Sequence, residues 1–437
     1  MITKKQITNR IKRIVGTYFD FIQSKESRQS GNRKVMPLMS RLYDESEIAE
    51  VVDTLLTPDK LTLNASGPLK IERFENLWSE YIGVKNGIMV NSGSSANLLA
   101  FYILTNPAIK NRLKPGDEVI VPALNWATSI TPLYALGLKP VFVDVNLENY
   151  CIDPVALRKA ISPRTKAILV IHLLGFPAEM TEIMKIAREH HLYVIEDCCE
   201  AHGAEYKGKK VGSFGDISTF SFYLSHHIST LEGGMLMTNN NEFAELARIM
   251  RSQGVMRNVK NQRYKKAIER KYSNIDPRYL FVNTGYNFRP TEMEGAVGLV
   301  QFKRFRRYLR MREVNARRLN EIFKQYGRYF YFFPALRNKK CSWFAYPILL
   351  RKNTPFTKKD LVDFLEKNGV ETRQVMSGNY LKQPVARMFQ HRVAGKLANI
   401  KYIDRYSFLI GMHAGITEQT LHAFAKLLDV FLKKYER

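Results

Sequence analysis

The stretch Gly87-Ile-Met-Val-Asn-Ser-Gly-Ser-Ser-Ala-Asn-Leu98 joins a short apolar run to a turn of small polar residues. Gly87–Val90 has the composition of a buried strand, and Ser92-Gly-Ser-Ser follows it as a turn that begins a helix. Small residues let a ligand approach the backbone, and the free N–H groups at a helix start favour an anion such as phosphate. Because many Gly/Ser turns are only tight connections, this stretch alone does not decide the function.

Strand and helix alternate in the same way further along the chain. Compact apolar runs rich in β-branched residues occur at Glu118–Pro122, Lys139–Val143, Ala167–Ile171 and Leu192–Ile195. Nearly unbroken apolar strands separated by helices indicate a buried, mostly parallel sheet, hence an α/β domain. Met293–Tyr326 is predicted to be a long helix that leads into a smaller α+β unit. We therefore predict an N-terminal helical extension (residues 1–55), a large α/β domain (56–300) and a small C-terminal domain (301–437).

The composition is that of a globular protein with an unusual charge. The chain has 437 residues, with 67 Lys and Arg against 41 Asp and Glu, a formal net charge of +26. The basic residues form clusters at Arg10–Arg13, Arg263–Lys271, Lys303–Arg312 and Arg337–Lys340, a distribution that favours a generally basic, solvated surface. No nucleic-acid-binding signature accompanies them, so we expect neither nucleic acid nor a membrane as partner. Four cysteines are too few for a secreted disulfide scaffold, which favours a cytoplasmic protein. Apolar residues at helical spacing in residues 2–22 predict a helix that packs on this chain or on a partner subunit.

Two further segments carry side chains suited to chemistry. Glu196-Asp-Cys-Cys-Glu follows a predicted strand, at the edge where open α/β sheets bind ligands. A carboxylate there can keep a heteroaromatic nitrogen protonated, and the alternative is that Asp197 only caps a helix. Thr219–Met235 combines hydroxyl groups, the paired histidines His226 and His227, and two glycines. A histidine in such a segment is more often structural, so neither segment alone decides the function.

Taken together and in order, these segments resemble the fold type I, pyridoxal-phosphate-dependent sugar aminotransferases and dehydratases, the DegT/DnrJ/StrS family. The resemblance extends from about Leu63 to the end of the sequence. It is carried by Asn91-Ser-Gly-Ser-Ser-Ala-Asn, Pro122-Ala-Leu-Asn-Trp-Ala-Thr, Val141-Phe-Val-Asp-Val, Glu196-Asp-Cys-Cys-Glu, Lys210-Val-Gly-Ser-Phe-Gly-Asp, Phe220-Ser-Phe-Tyr, Glu232-Gly-Gly and Gly285-Tyr-Asn-Phe-Arg-Pro. It implies a large domain with a mostly parallel seven-stranded sheet, followed by the smaller α+β domain.

The resemblance also implies a site for pyridoxal or pyridoxamine phosphate. Asp197 would pair with the ring nitrogen, Trp126 would stack on the ring, and Asn287 would reach the phosphate in the neighbouring subunit of a homodimer. The cofactor-binding residues implied in this way are Gly93, Ser94, Ser95, Trp126, Asp197, Glu200, Ser221 and Asn287. The implied substrate-binding residues are Arg373, Ser377 and Asn379, and no metal ligand is expected.

The departure from the aminotransferase pattern at position 226 bears most on the function. Aminotransferases of the family have a lysine there that binds the cofactor covalently, whereas this chain has His226 within Ser225-His-His-Ile. Imidazole cannot form that bond, but its pKa suits a general base. The pattern is similar to that of the family's nucleotide-sugar 3-dehydratases, which implies that pyridoxamine phosphate is held non-covalently. The implied reaction removes the C3 hydroxyl of a nucleotide-linked 4-keto-6-deoxyhexose, as in O-antigen deoxysugar biosynthesis, and L-glutamate regenerates the amine form.

Three alternatives remain open at this point. An aminotransferase needs a lysine in reach, and the lysines within Lys207–Lys210 are expected to face solvent. A dehydratase that works with a separate reductase would carry a [2Fe–2S] cluster with four thiolates, yet Arg251–Tyr286 contains no cysteine and Cys198 and Cys199 lack partners, so no cluster is expected. A non-catalytic regulator or nucleic-acid-binding relative is disfavoured because Asp197 and the phosphate turn are retained.

Overall fold

Helices and strands alternate through most of the chain, as predicted. The structure is a computed structural model that describes residues 3–29, 35–40, 43–57, 61 and 69–436. Its helices are α1 (Lys4–Gln29), α2 (Glu45–Leu55), α3 (Lys70–Ile82), α4 (Gly93–Leu104), α5 (Ala127–Ala135), α6 (Pro154–Ala160), α7 (Met180–Glu189), α8 (Asn241–Met250), α9 (Gln262–Lys271), α10 (Glu292–Gln325), α11 (Lys358–Lys367), α12 (Ala398–Tyr406) and α13 (Glu418–Leu432). Its strands are β1 (Asn86–Val90), β2 (Glu118–Pro122), β3 (Lys139–Val143), β4 (Thr165–Ile171), β5 (Tyr193–Asp197), β6 (Glu205–Tyr206), β7 (Lys209–Lys210), β8 (Ile217–Ser221), β9 (Gly234–Thr238), β10 (Phe330–Tyr331), β11 (Lys339–Lys340), β12 (Ala345–Leu350), β13 (Thr372–Arg373), β14 (Arg392–Val393) and β15 (Ser407–Gly411).

The central sheet has the strand order β1-β9-β8-β5-β4-β2-β3-β14. The strands from β8 to β14 in this order run parallel, and β9 is antiparallel to both β1 and β8. Five strands of this sheet, β1, β2, β3, β4 and β5, match the strands predicted from the sequence, whereas β8 and β9 were not located there. The first seven strands in the order are almost completely buried, which confirms the predicted mostly parallel α/β sheet.

The eighth strand, β14, comes from the C-terminal part of the chain and was not expected from the sequence. Arg392 in β14 donates hydrogen bonds to both carboxylate oxygens of Glu118, at 3.2 and 2.7 Å, and to the carbonyl oxygen of Ala160 at 2.6 Å. Because Glu118 is fully buried at the start of β2, this ion pair fixes a two-residue strand at the sheet edge.

The C-terminal part contains the predicted α+β unit. Its sheet has the order β10-β12-β15-β13, and all of its pairings are antiparallel. The predicted N-terminal helix is α1, and it packs against α2 of the same chain. Within the described ranges, no helix combines the length and the apolar composition needed to cross a membrane.

The long helix α10 belongs to both parts of the chain, because the proposed domain boundary at 300/301 lies inside it. Its first turns pack closely on α3, since a Cβ atom at Gly295 would lie 2.5 Å from the backbone nitrogen of Ile71, and one at Gly298 would lie 2.9 Å from the ring of Phe74. The domain limits stay a prediction.

Arg312 joins α10 to the C-terminal sheet from inside the protein. Its side chain is 1% exposed, and one guanidinium nitrogen donates to the carbonyl oxygens of Trp343 at 2.8 Å, of Phe344 at 3.0 Å and of Met412. Trp343 and Phe344 lie just before β12, and Met412 lies just after β15. Burial lowers the pKa of Arg312 to about 9, so the group remains a cation at neutral pH.

Replacing Arg312 by methionine is expected to lower the free energy of unfolding by about 2–5 kcal/mol, because three buried carbonyl groups lose their donor. Urea unfolding followed by circular dichroism measures this change. Arg317→Met, an exposed position on the same helix, serves as the matched control and is expected to stay within about 0.5 kcal/mol of the parent. Equal midpoints for the two variants would contradict the role given to Arg312.

Candidate active site

A cavity of about 430 Å³ lies at the carboxyl ends of the central strands, where parallel sheets bind ligands. It brings together residues from α4, α5, the end of β5 and the loop after β8. The residues predicted from the sequence that line it are Gly93, Ser94, Trp126, Asp197, Glu200, Ser221 and His226. The sequence thus located most of one site in four separate segments.

The start of α4 forms one wall of the cavity. Ser92 caps the helix, because its Oγ accepts a hydrogen bond from the backbone N–H of Ser95 at 3.0 Å. A Cβ atom at Gly93 would lie 2.5 Å from the Cβ of Ser221, so only glycine allows the helix to approach the end of β8 this closely. Ser94 donates from Oγ to Oγ1 of Thr128 at 3.0 Å. Ser95 does not line the cavity, and its side chain closes the first turn instead.

Asp197 lies at the end of β5 and is held in a fixed orientation. Its Oδ2 accepts hydrogen bonds from Nδ2 of Asn97 at 2.9 Å and from Oγ of Ser129 at 2.8 Å. Its Oδ1 accepts from the backbone N–H of Cys199 at 3.1 Å and so closes a turn. A turn and then β6 follow Asp197, so the alternative in which it caps a helix is wrong. Thr219 donates from Oγ1 to Oδ1 of Asn97 at 2.6 Å and thereby sets the direction of that amide. The Asp197 side chain therefore closes a turn and is presented to the cavity in a fixed orientation.

Sequence reasoning missed the two side chains that orient Asp197. Asn97 lies four residues after Gly93, one helical turn along α4, and so faces the same side as the glycine. This spacing could have identified Asn97 as a site residue from the sequence. The signal for Ser129 is weaker, because only the packing of α5 against α4 brings its hydroxyl to the carboxylate.

Glu196, the neighbour of Asp197, serves the fold rather than the cavity. This fully buried carboxylate accepts hydrogen bonds from the backbone N–H groups of Gly212, Phe214 and Gly215 at 2.7–2.8 Å. It also accepts from Nε2 of His172 at 3.0 Å, since Nδ1 of His172 already accepts from the backbone of Ala178. The close group His172, Glu196 and Cys198 could offer three metal-ligand atoms, but its histidine and carboxylate lone pairs are used in these hydrogen bonds.

His226 lies in the loop after β8, and its half-buried ring lines the cavity. The ring of Phe344 is 5.1 Å from it, that of His202 is 5.7 Å from it, and that of Tyr223 is 6.4 Å from it, between centroids. Burial, together with the positive charge of Arg312, lowers the pKa of His226 to about 3. The imidazole is therefore neutral at physiological pH and has a lone pair with which to accept a proton.

Glu200 faces the cavity as an uncharged acid. Burial raises its pKa to about 8, the nearby Asp197 adds to this effect, and the backbone N–H of Leu174 at 2.8 Å from Oε2 opposes it. At neutral pH, Glu200 can therefore act as a proton donor within the cavity.

Several loops around the cavity have strained backbones. Leu174, Leu231, Trp343 and Met376 have φ values of 55°, 74°, 57° and 47°, in the left-handed region that non-glycine residues rarely adopt. Each of them lines the cavity or adjoins a residue that does. Such strain persists only where the surrounding packing holds it, and it is concentrated at functional sites.

Besides Ser95, four predicted residues do not line the cavity of the single chain. Asn287 is exposed, and its Oδ1 accepts from the backbone N–H of Arg289 at 3.4 Å. Arg373 is exposed, Ser377 donates from Oγ to the carbonyl oxygen of Asn125 at 2.6 Å, and Asn379 caps a short turn at Leu381. Their binding roles stay predictions.

The raised pKa of Glu200 predicts a stability that depends on pH. A group with a pKa of 4.5 when unfolded and about 8 when folded stabilises the protein fully below pH 4.5, and this stabilisation is lost as the pH rises through 8. Between these values, Glu200→Gln should therefore gain stability relative to the parent by about 1.4 kcal/mol for each pH unit.

Urea unfolding of the cofactor-free protein at pH 5.5, 6.5 and 7.5 measures this gain. Glu80→Gln, an exposed position on α3, is the matched control, for which the difference should not change with pH. A difference for Glu200→Gln that is equally flat would show that Glu200 is ionised in the folded protein.

Comparison with known proteins identifies the family. The sequence model of the DegT/DnrJ/EryC1/StrS aminotransferase family matches residues 43–428. A GDP-4-keto-6-deoxy-D-mannose 3-dehydratase of Yersinia pseudotuberculosis is 35% identical over 400 residues, which cover 90% of this chain and 98% of that protein. A dTDP-4-dehydro-2,6-dideoxy-D-glucose 3-dehydratase of Saccharopolyspora spinosa is 34% identical over 433 residues, 97% of this chain and 92% of that protein.

A solved structure agrees with these relatives. It is a GDP-4-keto-6-deoxymannose-3-dehydratase with a trapped PLP–glutamate geminal diamine, and its TM-score against this chain is 0.80. The two are 32% identical over 90% of this chain and 100% of that one. With the fold and these matches over most of its length, the chain belongs to the DegT/DnrJ/EryC1/StrS aminotransferase family.

Proposed function

We propose that this protein is a pyridoxal/pyridoxamine-phosphate-dependent 3-dehydratase that removes the C3 hydroxyl of a nucleotide-linked 4-keto-6-deoxyhexose. The observation that carries the proposal is the neutral ring of His226 in the same cavity as Asp197. Among the described residues, no lysine lines this cavity. Relatives of this chain over most of its length are named as 3-dehydratases, which supports the same reaction.

The residues present fit the cofactor. The start of α4 offers an anion site beside the hydroxyl groups of Ser94 and Ser221, in a cradle that a Cβ atom at Gly93 would fill. Trp126 lines the cavity with 59% of its surface exposed, so its face is available for stacking on a ring. Asp197 supplies the carboxylate for a pyridine nitrogen. When bound, the cofactor supplies an electron sink for the bonds that break.

The chain's own residues then have separate tasks. Asp197, oriented by Asn97 and Ser129, keeps the ring nitrogen protonated. His226 accepts a proton at a ring nitrogen, and Glu200 holds a proton that it can donate within the cavity. Phe344 covers the cavity beside His226 with an apolar ring, which limits the access of water.

L-Glutamate is the proposed amino donor that restores the amine form of the cofactor. The related structure with a PLP–glutamate adduct supports this assignment. The nucleotide is not specified by the proposal, because one relative is named for a GDP sugar and another for a dTDP sugar. Arg373, Ser377 and Asn379 remain the candidates for binding the nucleotide sugar. A cytoplasmic location stays a prediction.

We propose that the protein works as a homodimer in which each active site contains residues of both subunits. Asn287 lies in a surface that also exposes the large side chains of Tyr279, Phe281 and Tyr286, which are 67%, 59% and 55% exposed. A second copy of the chain on this surface would bury these rings and bring Asn287 to the cofactor phosphate of its neighbour.

The aminotransferase alternative requires a lysine in the cavity, and none of the described residues that line it is a lysine. Lys207 and Lys209 are exposed as expected, but Lys210 is half-buried, because it pairs with Glu205 and lies over the ring of Tyr81, 4.9 Å from its centroid. Lys210 is not among the residues that line the cavity with His226. The alternative with a separate reductase depends on an iron–sulfur cluster, and its absence stays a prediction that an iron assay on anaerobically purified protein tests.

Replacing His226 provides a direct test of the base. His226→Asn is expected to lower the dehydration rate by about 10²–10⁴-fold while the protein still binds the cofactor. His226→Lys should suppress dehydration, favour transamination, and become covalently labelled by pyridoxal phosphate with borohydride, whereas the parent protein should not. His422→Asn, at an exposed position on α13, is the matched control. Unchanged dehydration in His226→Asn would mean that another group is the base.

The reaction itself is tested with a panel of nucleotide-linked 4-keto-6-deoxyhexoses in deuterium oxide. We expect deuterium at sugar C3, release of ammonia, and turnover that depends on glutamate. The products are identified by mass spectrometry. A 4-amino sugar as the only product would refute the dehydratase function.

A further inference from the structure

Three imidazole rings form a cluster behind the cavity. His202 follows β5 and His227 follows His226, and both are fully buried. The ring centroids of His202 and His226 are 5.7 Å apart, and those of His202 and His227 are 5.3 Å apart. His202 is therefore in contact with the proposed base on one side and with a second histidine on the other.

The cluster contains buried nitrogen atoms without partners. Within the part of the chain that the structure describes, Nδ1 of His226, both ring nitrogens of His202 and Nδ1 of His227 form no hydrogen bond. Nitrogen atoms buried in this way are costly unless they are paired. Because the three rings adjoin, their nitrogens are the available partners for one another.

The contacts of His227 show which of its ring nitrogens is a hydrogen-bond donor and which is an acceptor. Its Nε2 lies 3.0 Å from the carbonyl oxygen of Ser342, which can only accept, so Nε2 carries the proton. Burial and the positive charge of Arg312 lower the pKa of His227, so the ring is neutral and its Nδ1 is an acceptor.

His202 is neutral for a related reason, since burial lowers its pKa as well. It therefore has one N–H group and one lone pair. Two acceptors lie beside it for the N–H group, Nδ1 of His227 and the backbone carbonyl of Ser221. With either acceptor, the other ring nitrogen of His202 keeps a lone pair. Among the described residues, two donors without partners lie beside this ring, Nε1–H of Trp78 at a centroid distance of 5.6 Å and His226 at 5.7 Å.

The ring positions fit such a bond. A hydrogen bond of about 3 Å between two ring nitrogens places the ring centres roughly 5–5.5 Å apart. The 5.7 Å between the ring centres of His226 and His202 is slightly longer than this, so the bond requires a small shift of one ring toward the other. The other rings in contact with His226 belong to Phe344, which has no polar atom, and to Tyr223, which is 45% exposed.

We propose that His202 is a positioning residue that accepts a hydrogen bond from the Nδ1–H group of His226. This bond selects the tautomer of His226 whose Nε2 lone pair is free for the cavity, and it stabilises the ring after Nε2 has taken up a proton. The proposal rests on the proposed function, in which His226 is the base.

A purely structural role for His202 is the competing explanation. Its ring contacts Trp78, Phe220 and Phe222 at centroid distances of 5.6, 5.5 and 5.7 Å, so it also fills an aromatic core. Phenylalanine at position 202 keeps an aromatic ring in that core and removes both nitrogens. Asparagine keeps a hydrogen-bonding group and removes the ring.

The kinetic test uses the holoenzyme and L-glutamate, and follows the conversion of bound pyridoxal phosphate to pyridoxamine phosphate by absorbance. His202→Phe should lower the maximal rate at least tenfold, while the glutamate concentration for half-maximal rate, the cofactor content and the melting temperature stay near those of the parent. His202→Asn should recover part of the rate. His422→Phe is the matched control on the surface and should be unchanged.

A parent-like rate in folded His202→Phe would overturn this inference and leave the proposed function standing. A His226→Asn variant with the parent rate would instead remove the premise that His226 is the base, and a 4-amino sugar as the only product would overturn the proposed function.

A second measurement does not depend on any variant. Nitrogen-15 NMR of the histidine-labelled holoenzyme should show His226 as the Nδ1–H tautomer and His227 as the Nε2–H tautomer. The Nδ1 proton of His226 should be shifted downfield and protected from exchange with solvent. Finding His226 as the Nε2–H tautomer would overturn the proposal, even if His202→Phe does not fold.

Discussion

The two adjacent carboxylates at the end of β5 are the constraint on which the site depends. Successive side chains of a strand point to opposite sides, so Glu196 and Asp197 are directed apart. Glu196 accepts hydrogen bonds from the backbone N–H groups of Gly212, Phe214 and Gly215 and so holds the loop that leads into β8. Asp197 faces the cavity, where residues of α4 and α5 fix its direction. The end of β5 thus both holds the loop that leads into β8 and presents a carboxyl group to the cavity.

The buried charge of Arg312 and the neutral state of the nearby histidines are linked. Arg312 is a cation inside the protein, held by the carbonyl groups of Trp343, Phe344 and Met412. Its charge opposes the protonation of His226 and His227, in addition to the effect of their burial. The arrangement that ties α10 to the C-terminal sheet therefore also keeps the proposed base neutral. Arg312 thus both stabilises the fold and influences the protonation of the proposed base.

One residue of the basic cluster Lys303–Arg312 departs from the solvated surface that the sequence predicts. The cluster Lys303–Arg312 was interpreted as part of a solvated basic surface, which holds for the exposed Lys303, Arg306 and Arg310. It is wrong for Arg312, because this residue lies on the side of α10 that packs against the C-terminal unit. A count of charges along a chain does not reveal which side of a helix is covered.

The sequence by itself determined the alternation of strands and helices, the glycine at the start of α4, the carboxylates after β5 and the histidine in place of lysine. Each of these depends on residues that are neighbours along the chain, so local patterns were sufficient. The orientation of Asp197 by Asn97 and Ser129, the edge strand β14 and the contact of His202 with His226 were decided by the tertiary structure. They join residues between 24 and more than 250 positions apart, and only the packing of the sheet brings such residues within hydrogen-bonding distance or ring contact.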